Sequence, residues 1–156
     1  MDNIIKKIIF KDEFSLVKFK SPYLYIKFKS DSPKREEFDK FMEIFKQFYD
    51  TVDPQTGKPV KFGTIWNMGP ISILPYSWLS EFSKMMHSLE SKTTVQLYGT
   101  TIIIQNNLIK NMINMFLKLY DNKKPVLIVP NKQEGQQFIR RCMEEELGPE
   151  YNNLQI

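Results

Sequence analysis

The spacing of apolar residues changes near residue 32 from every second residue to helical spacing, and this change constrains the fold more than any other feature. Before it, Leu24, Ile26 and Phe28 alternate with Tyr25 and Lys27, as in a strand with one buried face. After it, apolar residues form one helical stripe: Phe38, Phe41, Met42, Phe45, Phe48, Tyr49 and Val52. A strand followed directly by an amphipathic helix predicts the α/β class, in which helices pack on a sheet.

The same alternation continues along the chain. Strands are predicted at Ile4–Phe10, Phe14–Lys20, Tyr23–Lys29, Val60–Met68, Thr93–Leu97 with Thr101–Ile104, and Val126–Val129. The segment around Gly99 is either one bent strand or two strands joined by a tight turn, and we favour one strand with a kink or bulge. Further helices are predicted to begin near Pro75–Ser77, at Asn106 or Asn107, and at Asn131.

Capping residues predict where the helices start and stop. We expect Ser32 to be the N-cap of the first helix, with Pro33 at the first helical position. Asn131 and Glu134 have the spacing of a capping box, and Gly148 precedes a proline that ends the last helix. These signals predict a single domain over residues 1–149 and a tail over 150–156.

The order of elements predicts the sheet. Three strands come first and form an antiparallel meander; helices and strands then alternate, which requires crossover connections and parallel strands. We therefore expect one mixed β-sheet that starts with the meander, and we expect the short strand Val126–Val129 to be buried.

The composition indicates which kind of partner the protein binds and in which cellular compartment it is located. The net charge of +4 comes from nineteen lysines and only three arginines, whereas surfaces that read nucleic-acid sequence or clamp phosphate tend to use arginine. Cys142 is the single cysteine and no apolar run approaches the length of a membrane-spanning helix, so we expect a reducing, cytoplasmic location. We expect a protein partner or self-association in preference to nucleic acid or a membrane surface.

Residues able to support catalysis are few. His87 is the only histidine, which rules out a two-histidine metal site, and it lies off the apolar stripe of the second helix. Cys142 lies on the apolar face of the last helix, where a thiol behaves as a small hydrophobe. The glycines form no phosphate-binding motif. We therefore predict a non-enzymatic chain without a metal or cofactor.

Three segments in the second half of the chain follow a pattern known from one protein family. They are the segment from Asn106 to Tyr120, the turn Lys123-Lys124-Pro125-Val126, and the helix from Asn131 to Phe138. Together they resemble STAS and STAS-like domains, typified by the anti-sigma-factor antagonists. The resemblance covers residues 1–147 in element order and 100–140 in detail. It implies a regulatory domain that acts through protein–protein contact.

In the phosphorylated members of that family, a serine is modified in an Asp-Ser-Ser/Thr-Gly turn at the start of a helix. Ser77 here matches the second hydroxyl position, whereas Pro75, Tyr76 and Trp78 replace the Asp, the acceptor Ser and the Gly. The resemblance therefore implies a contact region over Met68–Ser77, with Ser72, Tyr76 and Ser77 as candidate partner-binding or phosphorylation residues. The alternative role for Ser77 is an N-cap.

Three further surfaces are candidate binding sites. One strand face is rich in lysine and could bind an anionic partner, either RNA or a membrane surface. The other interpretation is that these lysines protect a sheet edge from aggregation. This face comprises Lys18, Lys20, Tyr25, Lys27 and Lys29. An apolar pocket for a lipid or other small molecule is predicted between the first two helices, lined by Phe45, Trp66, Trp78 and Phe82. Eight methionines and many aromatic residues also suit a self-assembling protein.

Overall fold

A computed structural model describes residues 6–72, 74–119 and 123–150. The strands are β1 (Lys6–Lys11), β2 (Ser15–Lys20), β3 (Tyr23–Phe28), β4 (Phe62–Asn67), β5 (Leu97–Ile103) and β6 (Val126–Val129). The helices are α1 (Arg35–Phe48), α2 (Tyr76–Ser88), α3 (Glu90–Gln96), α4 (Asn107–Leu119) and α5 (Lys132–Leu147), with a 3-10 turn at Gly148–Glu150. The remainder of the predicted tail lies outside the described residues, as does the predicted start of β1 at Ile4.

The six strands form one mixed sheet whose order follows the chain, from β1 to β6. The meander β1–β2–β3 is antiparallel, and β3, β4, β5 and β6 pair in parallel. The predicted α/β fold with a mixed sheet is therefore confirmed. No helix among the described residues is long and apolar enough to cross a membrane.

Each face of the sheet has its own apolar core. On one face, α1, α2 and α4 pack over residues such as Leu24, Ile26 and Phe62. On the other face, α5 packs over β4, β5 and β6, where Ile139 and Cys142 meet Ile65. Because α5 packs mainly over β4, β5 and β6 and meets the meander only at its edge, most of the outer face of the meander is not covered by a described helix.

Glycine allows α5 to approach the sheet closely. A Cβ at Gly135 would lie 2.8 Å from Thr101 Oγ1, and a Cβ at Gly99 would lie 2.8 Å from Cys142 Sγ. Tyr98 and Gly99 both face α5, because a register shift places a bulge in β5 opposite β4. The expected single strand with a bulge is confirmed from Leu97 onward.

The predicted strand at Thr93–Leu97 is wrong, because residues Glu90–Gln96 form α3. Thr93 and Gln96 are the buried residues of this helix, at helical spacing. The side chain of Gln96 donates hydrogen bonds to the carbonyl oxygens of Tyr49 and Val60 at 3.0 and 3.1 Å. These buried tertiary bonds outweigh the strand preference of the β-branched residues.

Two predicted N-caps are wrong, although α2 begins at Tyr76, within the predicted start at Pro75–Ser77. The N-cap of α1 is Lys34 rather than Ser32, because the Glu37 carboxylate accepts a hydrogen bond from the Lys34 N–H at 2.9 Å. The N-cap of α2 is Pro75, so Ser77 lies inside the first turn and does not cap the helix.

The predicted caps of the later helices, α4 and α5, agree better with the structure. Asn106 Oδ1 accepts from the Leu108 N–H, and Asn131 Oδ1 accepts from the Glu134 N–H at 2.9 Å, as the capping box requires. Gly148 is the C-cap of α5. However, β6 is an edge strand in which only Val129 is buried, so its predicted burial is wrong.

Candidate functional site

The uncovered face of the meander carries part of the predicted basic patch. In the β2–β3 register Lys18 lies opposite Tyr25, and Lys20 lies opposite Tyr23. These four residues line a cleft between the meander and α5. Lys27 lies one strand repeat away on the same face but does not line the cleft, and Lys29 follows the end of β3. The structure therefore brings together three of the five predicted residues: Lys18, Lys20 and Tyr25.

The second wall of the cleft is a flank of α5. Lys132, Gln136 and Arg140 follow one another at four-residue spacing, so they share one side of the helix. Lys132 and Gln136 line the cleft, which has a volume of about 130 Å³, and Arg140 reaches it through Tyr23. The sequence shows this spacing but does not show that α5 packs beside the meander, and for that reason the wall was missed.

The two tyrosines are held in place by the surrounding side chains. Arg140 Nε donates a 2.8 Å hydrogen bond to the Tyr23 hydroxyl, and Asn67 Nδ2 donates a 3.1 Å bond to the Tyr25 hydroxyl. The ammonium groups of Lys18 and Lys132 lie 5.5 and 4.4 Å from the centroid of the Tyr25 ring. Tyr23 is buried. Neither ring is therefore an open platform for stacking a nucleic-acid base.

The cleft has an excess of positive charge. Among the described residues, Lys18, Lys20 and Arg140 form no ion pair with a carboxylate. Lys61 and Lys124, by comparison, both contact Glu146, at 2.6 and 2.7 Å. The charges of Lys18, Lys20 and Arg140 are thus not offset by any described carboxylate.

An apolar cavity of about 110 Å³, partly open to solvent, lies on the other face of the sheet between the sheet and α1, α2 and α4. Phe45, Trp66 and Phe82 line it as predicted. Trp78 does not, because it stacks on Phe38 with ring centroids 4.9 Å apart and faces α1. Three of the four residues predicted to line an apolar pocket therefore do so.

The polar atoms in the cavity wall are nearly all satisfied by the protein. Thr64 Oγ1 and Thr100 Oγ1 lie 2.9 Å apart and form a hydrogen bond with each other. The remaining lining is dominated by large apolar side chains, among them Phe28, Phe41, Leu79, Ile102, Ile113 and Val126. Such a wall offers an apolar ligand contact area and offers a polar ligand little to bond.

Helix α2 forms the least buried wall of the cavity. Met86 is its single buried residue, while Trp78, Leu79 and Phe82 are half-buried. Its attachment to α1 includes an Arg35–Glu81 pair, in which Arg35 Nη1 lies 2.7 Å from Glu81 Oε2. The hydrogen bond to Glu81 raises the pKa of Arg35, and the same bond lowers the pKa of Glu81.

The predicted contact region around Met68–Ser77 leads into α2. Tyr76 is 58% exposed and Ser77 is exposed in the first turn, whereas Ser72 is half-buried in the preceding loop. Position 73 lies outside the described residues. Tyr76 and Ser77 are therefore accessible to a partner, and nothing in the structure bears on their phosphorylation.

The two reactive residue types are placed apart from both sites. His87 is exposed near the end of α2, and Cys142 is buried on the face of α5 that packs on the sheet, where burial raises the pKa of its thiol. Across the parts of the chain that the structure describes, no group of three or more His, Cys, Asp or Glu side chains is placed to hold a metal ion.

No protein-family model, curated protein or solved structure matches this chain. The resemblance to STAS-like domains stays a prediction for that reason. The function must be inferred from the geometry of the cavity, the cleft and the exposed surfaces.

Proposed function

We propose that this protein is a non-enzymatic binding domain whose principal site is the apolar cavity beneath α2, and that it binds a small apolar molecule there. The observation that carries the proposal is the cavity itself, which is lined by aromatic and aliphatic side chains, is partly open to solvent, and has two threonine hydroxyls that hydrogen-bond each other. Tightly packed interiors contain few voids larger than a water molecule. A void of this size lined in this way is therefore suited to a ligand.

The volume limits the size of that ligand. An apolar cavity of about 150 Å³ binds benzene or xenon and excludes water. At about 110 Å³, this cavity suits a short hydrocarbon or a single small ring while α2 stays in place. A longer acyl chain requires α2 to move outward, and α2 is the wall whose residues are least buried.

The test measures the binding of xenon and benzene to the purified chain. The Tm is recorded with increasing ligand, because a ligand that binds only the folded state raises the Tm. Val126→Ile places an extra methylene in the cavity wall, and Val95→Ile adds the same group to an exposed position of α3. We expect a ligand-dependent rise in Tm that is reduced in Val126→Ile and retained in Val95→Ile. Equal responses in both variants, or no response to either ligand, would contradict the proposal.

A second candidate function is protein–protein contact, as the STAS-like resemblance implies. Large apolar residues are exposed at Leu108 (68%), Met115 (54%) and Tyr76 (58%), and the first two lie seven residues apart on α4. Exposed apolar residues sharing one side of a helix are typical of a contact surface. A regulatory domain of this kind would use the start of α2 and the side of α4, and we place it in the cytoplasm.

Light scattering coupled to size exclusion tests self-association at this surface. A dimer in the parent protein that becomes a monomer in Leu108→Ser and Met115→Ser supports it. The matched control is Val52→Ser, which removes an apolar side chain of similar exposure from the loop after α1. A monomer at every concentration, or a dimer indifferent to all three changes, contradicts self-association through α4.

A further inference from the structure

The cleft between the meander and α5 has a separate chemistry from the cavity, since the sheet lies between them. Its walls contribute Lys18, Lys20 and Lys132, and the Arg140 guanidinium stands beside Tyr23. Like charges held close together repel, so a cluster of this kind lowers stability unless an anion neutralises it. The charges of the cleft therefore favour a negatively charged ligand.

Hydroxyl and amide groups add donors to the cationic ones. The Tyr25 hydroxyl accepts a hydrogen bond from Asn67 Nδ2, so its own proton is directed elsewhere. The orientation of the Asn67 amide is fixed, because its Oδ1 accepts from the Gly69 N–H at 2.9 Å. Gln136 contributes an amide from the opposite wall. Together these groups surround the cleft with hydrogen-bond donors.

The shape and the aromatic contacts decide between anion classes. A volume of about 130 Å³ accommodates a compact oxyanion group. The Tyr25 ring is already covered by lysine ammonium groups, and the Tyr23 ring is buried. Sequence-independent binding of single-stranded nucleic acid relies on open aromatic rings. Lysine also binds phosphate, as a compact point charge in place of the bidentate fork of arginine.

We infer that this cleft binds the phosphate group of a phosphorylated small molecule. Lys18 and Lys20 bind from the meander, Lys132 binds from α5, and the Tyr25 hydroxyl donates a hydrogen bond. Arg140 positions Tyr23 and adds its positive charge at the rim. The phosphate group can belong to a soluble metabolite or to a lipid headgroup, since both present the same oxyanion.

Isothermal titration calorimetry with inorganic pyrophosphate tests the inference. The informative variants are Lys18→Gln and Lys132→Gln, each of which removes one positive charge from the cleft. Lys110→Gln removes the same charge from an exposed position on α4, on the other face of the sheet. Since one charge-assisted hydrogen bond is worth a factor of about ten in affinity, we expect a roughly tenfold weaker Kd in each cleft variant and no change in Lys110→Gln. The Tm of every variant establishes that it is folded.

The arms of the experiment separate the sources of phosphate. Phosphatidylcholine vesicles with and without a phosphorylated inositol lipid are tested by co-sedimentation beside the pyrophosphate titration. Binding to the phosphorylated vesicles that is lost in the cleft variants, with weak pyrophosphate binding, identifies a lipid headgroup. Saturable pyrophosphate binding without vesicle binding identifies a soluble ligand.

Other results overturn the inference. If Lys110→Gln weakens binding as much as Lys18→Gln does, the net charge of the protein is responsible and the cleft is not. If neither pyrophosphate nor phosphorylated vesicles bind, the cleft has no phosphate ligand. Tight binding of a single-stranded RNA oligonucleotide without any binding of pyrophosphate would show a nucleic-acid surface in place of the phosphate site.

Discussion

Filling part of the apolar cavity should stabilise the protein by an amount that its volume sets. Residual internal cavities cost about 24 cal/mol for each Å³, so roughly 2.6 kcal/mol is the upper limit for filling this partly open void of about 110 Å³. Val126 lines the cavity from β6, opposite Thr100 in the register. Val126→Ile adds one methylene, which is worth about 0.8 kcal/mol when it is buried. We expect a net gain of about 0.5 kcal/mol, because fitting the new group costs some side-chain entropy.

Urea unfolding followed by Trp66 and Trp78 fluorescence measures this gain, and thermal unfolding should show a rise of roughly 2 °C in Tm. Val95→Ile provides the baseline, since Val95 is 61% exposed and the added methylene stays in water. A destabilised Val126→Ile would mean that the side chains around the cavity already close it in solution. A gain of equal size in Val95→Ile would mean that the effect has nothing to do with the cavity.

Three further outcomes follow from other contacts. Thr64→Val alone should cost about 1 kcal/mol, because it leaves the half-buried Thr100 hydroxyl without its partner, whereas Thr64→Val with Thr100→Val should recover most of the loss in a double-mutant cycle. Gly135→Ala should lower stability by about 1 to 3 kcal/mol in urea unfolding, since its Cβ meets Thr101 Oγ1 at 2.8 Å; unchanged stability would show that α5 shifts freely. Glu146→Gln should cost about 1 kcal/mol near neutral pH and nothing in acid. Burial raises the pKa of Glu146, but hydrogen bonds from Lys124 and Lys61 outweigh burial and lower this pKa overall. The stabilisation is therefore present above the pKa of the unfolded carboxyl group and is lost as the pH falls through the lower pKa of the folded state. A constant difference between the parent and Glu146→Gln from neutral to acid pH would contradict that account.

The spacing of apolar residues predicted the helices and strands that bury one face and expose the other. The stripe of α1 and the alternation of β3 both arise from one apolar face against one core, and the structure has a helix and a strand where they were expected. The same reasoning failed at α3, where Thr93 and Gln96 are buried through hydrogen bonds to the α1–β4 connection. A polar residue buried for its bonding partners leaves no hydrophobic signal in the sequence.

The residues of a site could be predicted from the sequence only when they lie close to one another along the chain. Lys18, Lys20 and Tyr25 lie on adjacent strands of one meander, so alternation alone placed them on the same face. Lys132 and Arg140 join them from more than a hundred residues away, and only the position of α5 shows it. Trp78 was misplaced for a related reason, because its position on the α2 stripe does not reveal that it turns toward α1.

The order of the strands in the sheet has a consequence for how the protein folds during synthesis. Each strand pairs with the strand made just before it, so the sheet can grow by one strand at a time as the chain leaves the ribosome. The core beneath α1, α2 and α4 grows in the same direction. The opposite face of β4 and β5 stays bare until α5 has been made, because α5 supplies Ile139 and Cys142 to cover it. Until then this apolar face is the part of the nascent chain most exposed to aggregation and to chaperones.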